Sequence, residues 1–261
     1  MKNAVFFDID GTLWDNNMQI PDSTVAAIRE LQAGGSYAFL CSGRSRANIK
    51  SKHLLDIGFD GIVAACGTSI EYRGESILEQ LFSKEQVEHV LWALKAHNIP
   101  AVLEGPEYIY VNPDEFLDDP YVIYLREELK EQVADIGTDC SKIVINKLSA
   151  ALKGADVEKF KQDLGAAYDV IIHEDDIIEI NLHGHSKATG IEKVCELLHI
   201  PHENTYAFGD SANDLEMLSY VAHGIAMGNG TAVAKKAAEY ITTDIHADGI
   251  AHGLRHYGLI I

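Results

Sequence analysis

The stretch Ala4 to Leu13, AVFFDIDGTL, constrains this chain more than any other. Four apolar residues, Ala4 to Phe7, run straight into two aspartates separated by Ile9, and Gly11 and Thr12 then break the extended pattern. An uninterrupted apolar run bounded by a turn signal suits a strand covered on both faces, as in the centre of a parallel α/β sheet. Side chains two apart on a strand point the same way. Asp8 and Asp10 are therefore expected to project together at the strand's carboxyl end, where open α/β sheets hold their ligands. Adjacent carboxylates repel, so one binds a proton or both share a cation. Oxygen donors favour a hard ion, Mg²⁺ ahead of softer metals. An Asp-x-Asp can also simply cap a turn; the apolar strand before it and Gly-Thr-Leu after it favour the shared site.

A second carboxylate pair follows the same logic. Tyr206 to Phe208 runs into Gly209-Asp210-Ser211-Ala212-Asn213-Asp214, again an apolar strand meeting acidic residues before a helix. Asp210 could serve as a helix N-cap, but its pairing with Asp214 at another strand end points to a site shared with Asp8 and Asp10. Carboxylates gathered in one cleft without a cation would repel strongly, so the cluster predicts Mg²⁺ with water completing its shell. Ser42 ends another short strand and could cap the helix after it. Lys187, in the polar stretch His183 to Thr189, reads on its own as a solvated lysine. A phosphoryl group, however, needs what these residues offer together: a positive point charge, a hydroxyl donor and backbone N–H groups at a helix start. His183 and His185 have no third ligand nearby in sequence, so hinge polarity is preferred to zinc.

At 261 residues the chain accommodates one large domain or two smaller ones. Its first part alternates strand and helix with short links, the form of a parallel doubly wound sheet. A helix is expected from Pro21 to Leu31, a strand at Ser36 to Cys41, a helix from about Arg46 to Leu55 and a strand at Gly61 to Ala65. A hairpin over Ile70 to Leu78 turns at Gly74. From about Ser83 to Leu182 the rhythm changes to a self-contained α+β segment. There a helix begins at Ser83, a helical stretch covers Asp114 to Val133, a strand covers Lys142 to Asn146 and another Ile177 to Leu182. The core pattern then resumes to the end. The fold class expected is α/β, a Rossmann-like doubly wound parallel sheet at residues 1–82 and 183–261 with an α+β insertion at residues 83–182.

The net charge of −19 disfavours phosphate backbones and anionic membranes, so no nucleic acid is expected as a partner. No apolar stretch reaches the ~18 residues of a membrane span, and Asp8 and Asp10 interrupt any signal-peptide core. The four cysteines, Cys41, Cys66, Cys140 and Cys195, lack metal-ligand spacing and read as free thiols of a reducing cytoplasm. Between Glu104 and Asp139 there are eleven acidic and two basic residues with tyrosines interspersed. That is the pattern of a solvated acidic face, or of groups that hydrogen-bond a polyol or amine. Oligomeric state is left open.

Taken in order, Asp8-x-Asp10-Gly11-Thr12, Ser42-Gly43-Arg44, Lys187 and Gly209-Asp210-x-x-Asn213-Asp214 resemble the four motifs of the haloacid dehalogenase superfamily of phosphoryl-transfer enzymes. The insertion between the second and third is similar to the α/β cap of its Cof-type branch, which contains many sugar-phosphate phosphatases. The resemblance implies that Asp8 is the nucleophile and that Asp10 is the general acid and base. It implies that Asp8, the Asp10 backbone carbonyl and Asp210 hold Mg²⁺ with Asp214 in support, and that Ser42, Gly43, Lys187 and Asn213 bind the phosphoryl group. The substrate implied is a small phosphorylated metabolite. A phosphotransferase or phosphomutase on the same scaffold and a non-catalytic phosphometabolite-binding protein are the alternatives. One departure stands out: Cys66-Gly67 occupies a place where many Cof-type members carry Asn-Gly.

Overall fold

The computed structural model describes residues 2–116, 119–137, 140–173 and 176–261. Five strands come first: β1 (Ala4–Phe7), β2 (Tyr37–Cys41), β3 (Gly61–Ala64), β4 (Ser69–Tyr72) and β5 (Glu75–Glu79). Six follow: β6 (Ala101–Glu104), β7 (Ile109–Val111), β8 (Val133–Asp135), β9 (Lys147–Ala151), β10 (Tyr168–Ile172) and β11 (Ile177–Leu182). The last three are β12 (Thr205–Gly209), β13 (His223–Ala226) and β14 (Tyr240–Ile241). They form two sheets, ordered β14-β13-β12-β1-β2-β3-β4-β5 and β10-β11-β9-β6-β7-β8. The chain divides into two compact units, one of Met1–Gly43, Ser51–Leu78 and Ser186–Ile261, the other of Arg44–Lys50 and Glu79–His185.

In the first unit β1 is central and fully buried, paired in parallel with β2 on one side and β12 on the other. Its alternating side chains feed two layers. Ala4 and Phe6 join Phe39 and the helices Lys187–Leu198 and Leu215–Tyr220 in one core. Phe7 stacks on Phe208 across the sheet, against which Gly253 of the helix Gly249–His256 packs. The helix Asp22–Ala33 lies beside that last helix. The architecture is the expected mixed α/β one, with parallel strands from β14 to β3 and an antiparallel hairpin, β4 and β5, at the edge. Arg73 and Gly74 both take positive φ, 52° and 79°, to make that tight turn.

The second unit is built on a sheet whose pairs are antiparallel except for β7 with β8. Its main core packs that sheet against the helices Lys84–Ala96 and Val157–Leu164. The first of these opens with the expected capping box, Ser83 and Gln86 exchanging side-chain and backbone hydrogen bonds.

Several local expectations are corrected. The single helix expected over Arg46 to Leu55 is instead a 3₁₀ turn at Arg46–Asn48 and a short helix at Lys52–Leu55, split where Ser51 accepts from the Leu54 N–H and caps a new start. The strand expected at Lys142 to Asn146 lies five residues later, at β9: Ile143 and Ile145 are buried outside any strand, while Lys147–Ala151 pairs with both β6 and β11. The helix expected over Asp114 to Val133 covers Pro120–Leu129, and β8 follows it; Leu117 and Asp118 lie outside the described residues. Cys41, Cys66 and Cys195 are buried free thiols, and the side chain of Cys140 is outside those described. Among the described residues no helix is long and apolar enough to cross a membrane.

One close approach sets the position of the helix Lys187–Leu198. A Cβ on Gly190 would stand 2.5 Å from Val63 Cγ1 and 2.9 Å from the Gly67 Cα, so helix and β3 meet through glycine. Gly67 itself has φ +85°, and a side chain there would run into the Ser186 carbonyl. We expect Gly190→Val to lower thermal stability, because overpacking costs about 1–3 kcal/mol and valine gains only a few tenths in helix propensity over glycine. Denaturation midpoints of the variant and the parent protein, read by circular dichroism, check this.

Candidate active site

The turn after β1 is closed by its own backbone. Asp8 N–H still donates to the Phe208 carbonyl (3.0 Å), and the Leu13 and Trp14 amides then return to the Ile9 carbonyl at 3.0 and 3.2 Å. Gly11, at φ +77°, sits so close to Asp210 that any Cβ would collide with that carboxylate. Thr12 Oγ1 donates to Asp210 Oδ1 (3.3 Å), and Asn229 Nδ2 donates to the Gly11 carbonyl (2.7 Å). The turn after β1 is thereby locked to those after β12 and β13.

Lys187 is the first residue of its helix, behind a capping box formed by Ser186 and Thr189. A lysine at a helix N-terminus opposes the helix dipole by about 0.3–1 kcal/mol, so helix stability is not what places it there. It is 2% exposed, and its Nζ donates to Asp8 Oδ1 and to Asp214 Oδ1, both at 2.6 Å. The remaining oxygen of Asp214, Oδ2, accepts from the backbone N–H groups of Asp210 (2.8 Å) and Ser211 (3.0 Å). One carboxylate thus shapes the β12 turn and orients the ammonium at once.

Carboxylate oxygens of Asp8, Asp210 and Asp214 lie within 4.8 Å of one another. Three carboxylates against one ammonium leave this group of side chains with excess negative charge. Burial, and then the charge of Asp214, pushes the Asp8 carboxyl well above its usual range, with Lys187 pulling the other way. The same two causes raise Asp210 to about 7, opposed by Lys187 and the Thr12 hydroxyl. Burial alone would depress the Lys187 ammonium, but Asp214 and Asp8 overcome it and hold it well above the ordinary lysine value. An all-carboxylate donor set with uncompensated charge fits a hard divalent cation.

The other expected residues are placed as follows. The Asp10 carboxylate is not in that oxygen group; the residue is exposed and its Oδ1 accepts from the Trp14 indole N–H at 2.8 Å. Its charge nevertheless reaches the site, where it helps raise Asp8 and Asp210. The strand pairing expected to point Asp8 and Asp10 together ends at Phe7, because the chain is already turning at Ile9. Ser42 and Gly43 follow β2, the neighbour of β1, and are buried. Ser42 is tied to β3 through its amide on the Val63 carbonyl (2.9 Å) and through its carbonyl, which accepts from Cys66 N–H (3.2 Å). Asn213 is half-buried, with Oδ1 accepting from the Ser211 hydroxyl at 2.8 Å. Sequence reasoning missed Trp14 and Asn229, which hold the β1 turn, and named Thr12 only as part of the first motif, not as a partner of Asp210.

The comparisons agree with this geometry. A family model described as haloacid dehalogenase-like hydrolase matches residues 5–254. YkrA, a candidate phosphatase of Bacillus subtilis, is 30% identical over 99% of this chain and 99% of its own length. The Bacillus subtilis protein YitU, named 5-amino-6-(5-phospho-D-ribitylamino)uracil phosphatase, is 26% identical over 97% of this chain and 96% of its own. A crystal structure of a Geobacillus kaustophilus protein superposes with a TM-score of 0.85 at 28% identity, with both chains fully covered. With the strand-end carboxylates, the buried lysine and this match over nearly the whole chain, the protein belongs to the haloacid dehalogenase-like hydrolases.

Proposed function

We propose that this protein is a Mg²⁺-dependent phosphatase of small phosphorylated metabolites, sugar or polyol phosphates in particular, acting through an aspartyl phosphate on Asp8. The observation that carries the reading is the Lys187 ammonium held between Asp8 and Asp214 beside Asp210. Its support in kinship is the phosphatase naming of relatives, one of which is named for a substrate whose phosphate sits on a ribityl chain.

Asp8, Asp210 and the Asp10 carbonyl would hold the ion, with Asp214 behind them; the ion supplies charge neutralisation of the transferring phosphoryl oxygens. Lys187 engages Asp8 Oδ1 and leaves Oδ2 to attack phosphorus as the ester P–O bond breaks. Asp10, held by the Trp14 indole, gives its proton to the leaving oxygen. In the second half Asp10 takes a proton from water, the water oxygen attacks phosphorus, and the bond to Asp8 breaks to release phosphate. Ser42, the Gly43 amide and Asn213 steady the phosphoryl oxygens, a service that a loose transition state rewards.

Asp8→Asn is expected to abolish phosphate release from sugar phosphates while leaving the circular dichroism spectrum intact. Asp10→Asn should lower kcat by about 10²–10⁴-fold, the range of general acid–base catalysis. Interconversion of sugar phosphates by the parent protein without free phosphate would overturn the hydrolytic reading.

Chelation should remove activity and Mg²⁺ restore it, and the metal's apparent affinity should depend on pH. Because Asp210 is raised to about 7, the metal-free fold holds a proton there that the unfolded chain, near pH 4, has lost. Its contribution to stability is full below about pH 4 and is lost as pH rises towards 7. Metal must displace that proton and the one that burial holds on Asp8, so affinity should climb as pH rises through about 7 and go on climbing until Asp8 is ionised too. Isothermal titration with Mg²⁺ across this window checks the slope.

A further inference from the structure

An exposed aspartate on a turn ordinarily samples several side-chain rotamers. Asp10 is exposed, but it is held. The chain doubles back so that Trp14 bridges Asp10: Gly11 N–H donates to the Trp14 carbonyl (2.9 Å), and Trp14 N–H to the Ile9 carbonyl (3.2 Å). The Trp14 ring is 3% exposed, and a close-packed interior keeps a ring of that size in one orientation. Its N–H donates to Asp10 Oδ1 at 2.8 Å. A buried indole needs an acceptor, and most side-chain hydrogen bonds go to backbone or water. This one goes to a carboxylate, a stronger, charge-assisted bond. A rigid buried donor thus anchors an exposed and otherwise adjustable acid.

The chemistry of the donor adds a second constraint. An indole N–H donates and never accepts, so Oδ1 has to present a lone pair to it whether the carboxyl is ionised or protonated. In a carboxylic acid the carbonyl oxygen is the better acceptor and the hydroxyl oxygen the poorer one. The bond to Trp14 therefore makes Oδ1 the carbonyl oxygen of the protonated acid and assigns the proton to Oδ2. A contact that persists in both protonation states keeps the same oxygen in use each time the proton leaves and returns.

We propose that Trp14 is a positioning residue for proton transfer: its indole N–H fixes the Asp10 carboxyl through both displacements, so that Oδ2 is the oxygen that gives the proton and takes it back. This role rests on the phosphatase reading and gives it a residue that touches neither phosphorus nor metal. In the first displacement the Oδ2–H bond breaks as the proton passes to the leaving oxygen, which keeps the electron pair of the broken ester P–O bond. In the second, water loses a proton to Oδ2 and its oxygen bonds to phosphorus, while the electron pair of the P–O bond to Asp8 returns to that carboxylate. Asp10 ends as it began, still held at Oδ1.

The test uses the full chain with Mg²⁺. Replacing Trp14 by 3-benzothienylalanine keeps the shape of the ring and puts sulfur where the N–H was; Trp14→Phe removes the donor by ordinary mutagenesis. Turnover is followed on glucose 6-phosphate, whose alcohol needs a proton to leave, and on p-nitrophenyl phosphate, whose phenolate does not. Because kcat/KM covers the steps up to cleavage of the ester bond, it should fall about tenfold or more on glucose 6-phosphate, since a misplacement of about 1 Å can cost about 10²-fold, and hold on p-nitrophenyl phosphate. The second displacement is common to both esters, so kcat should fall on p-nitrophenyl phosphate too, with a burst of p-nitrophenol as the aspartyl phosphate accumulates. The melting temperature should be unchanged with 3-benzothienylalanine and lowered in Trp14→Phe, with the same kinetic split in both. In Asp10→Asn the replacement of Trp14 should lower kcat/KM no further, because its effect runs through Asp10. A role in packing alone would lower kcat/KM equally on the two esters. That result, a full loss persisting in Asp10→Asn, or no change on either ester overturns this role and leaves the phosphatase reading standing. Release of phosphate from neither ester by the parent protein removes the phosphatase reading, and this role with it.

Discussion

The structure depends on one buried cation. Lys187 reaches Asp8 across 179 positions of sequence and Asp214 across 27, joining the turns after β1 and β12 to the start of a helix. Removing one partner from such a pair costs about 3–5 kcal/mol because the other charge is left buried alone. Yet the pair is not complete in itself. With Asp8, Asp210 and Asp214 gathered around a single ammonium, the site would be negative with all three ionised, and so both Asp8 and Asp210 resist ionisation. A scaffold built only for stability would not collect acids in this way; the metal-assisted phosphoryl site proposed above would.

Everything that positions this site is short and backbone-directed. Gly11 lets the β1 turn approach the Asp210 carboxylate, and Gly67 and Gly190 let helix and sheet touch so that Lys187 arrives at the right depth. Asp214 spends one oxygen on the β12 turn and the other on the ammonium. The geometry is therefore held by groups that cannot change rotamer without unmaking the turn they belong to, the pre-organisation that electrostatic catalysis requires.

Much of this was legible in the amino-acid sequence because it is local. The run Ala4 to Phe7 announced a doubly covered strand, and the acidic residues at the ends of β1 and β12 announced themselves by following apolar runs. Lys187 was found through the order of motifs, not through any burial signal, since its neighbourhood is polar. What stayed hidden was decided by distant pairing. The β-branched residues Ile143, Val144 and Ile145 look more strand-like than Lys147 to Ala151, but the hydrogen bonds to β6 and β11 go to the latter. Nothing near Arg44 to Lys50 shows that this segment groups with the second unit. Likewise, the turn at Ile9 that hands Asp10 to Trp14 overrides the simple alternation of a strand.

The placement of β1 has a further consequence for how the chain is made. Its first four paired residues align with Tyr37 to Leu40 on one side but with Thr205 to Phe208 on the other. During synthesis, then, this apolar strand has one edge open until β12 has left the ribosome. An unpaired hydrophobic edge is an invitation to wrong partners. The long interval between β1 and β12 thus leaves newborn chains open to wrong pairing until β12 arrives, and a chain cut before β12 is expected to aggregate.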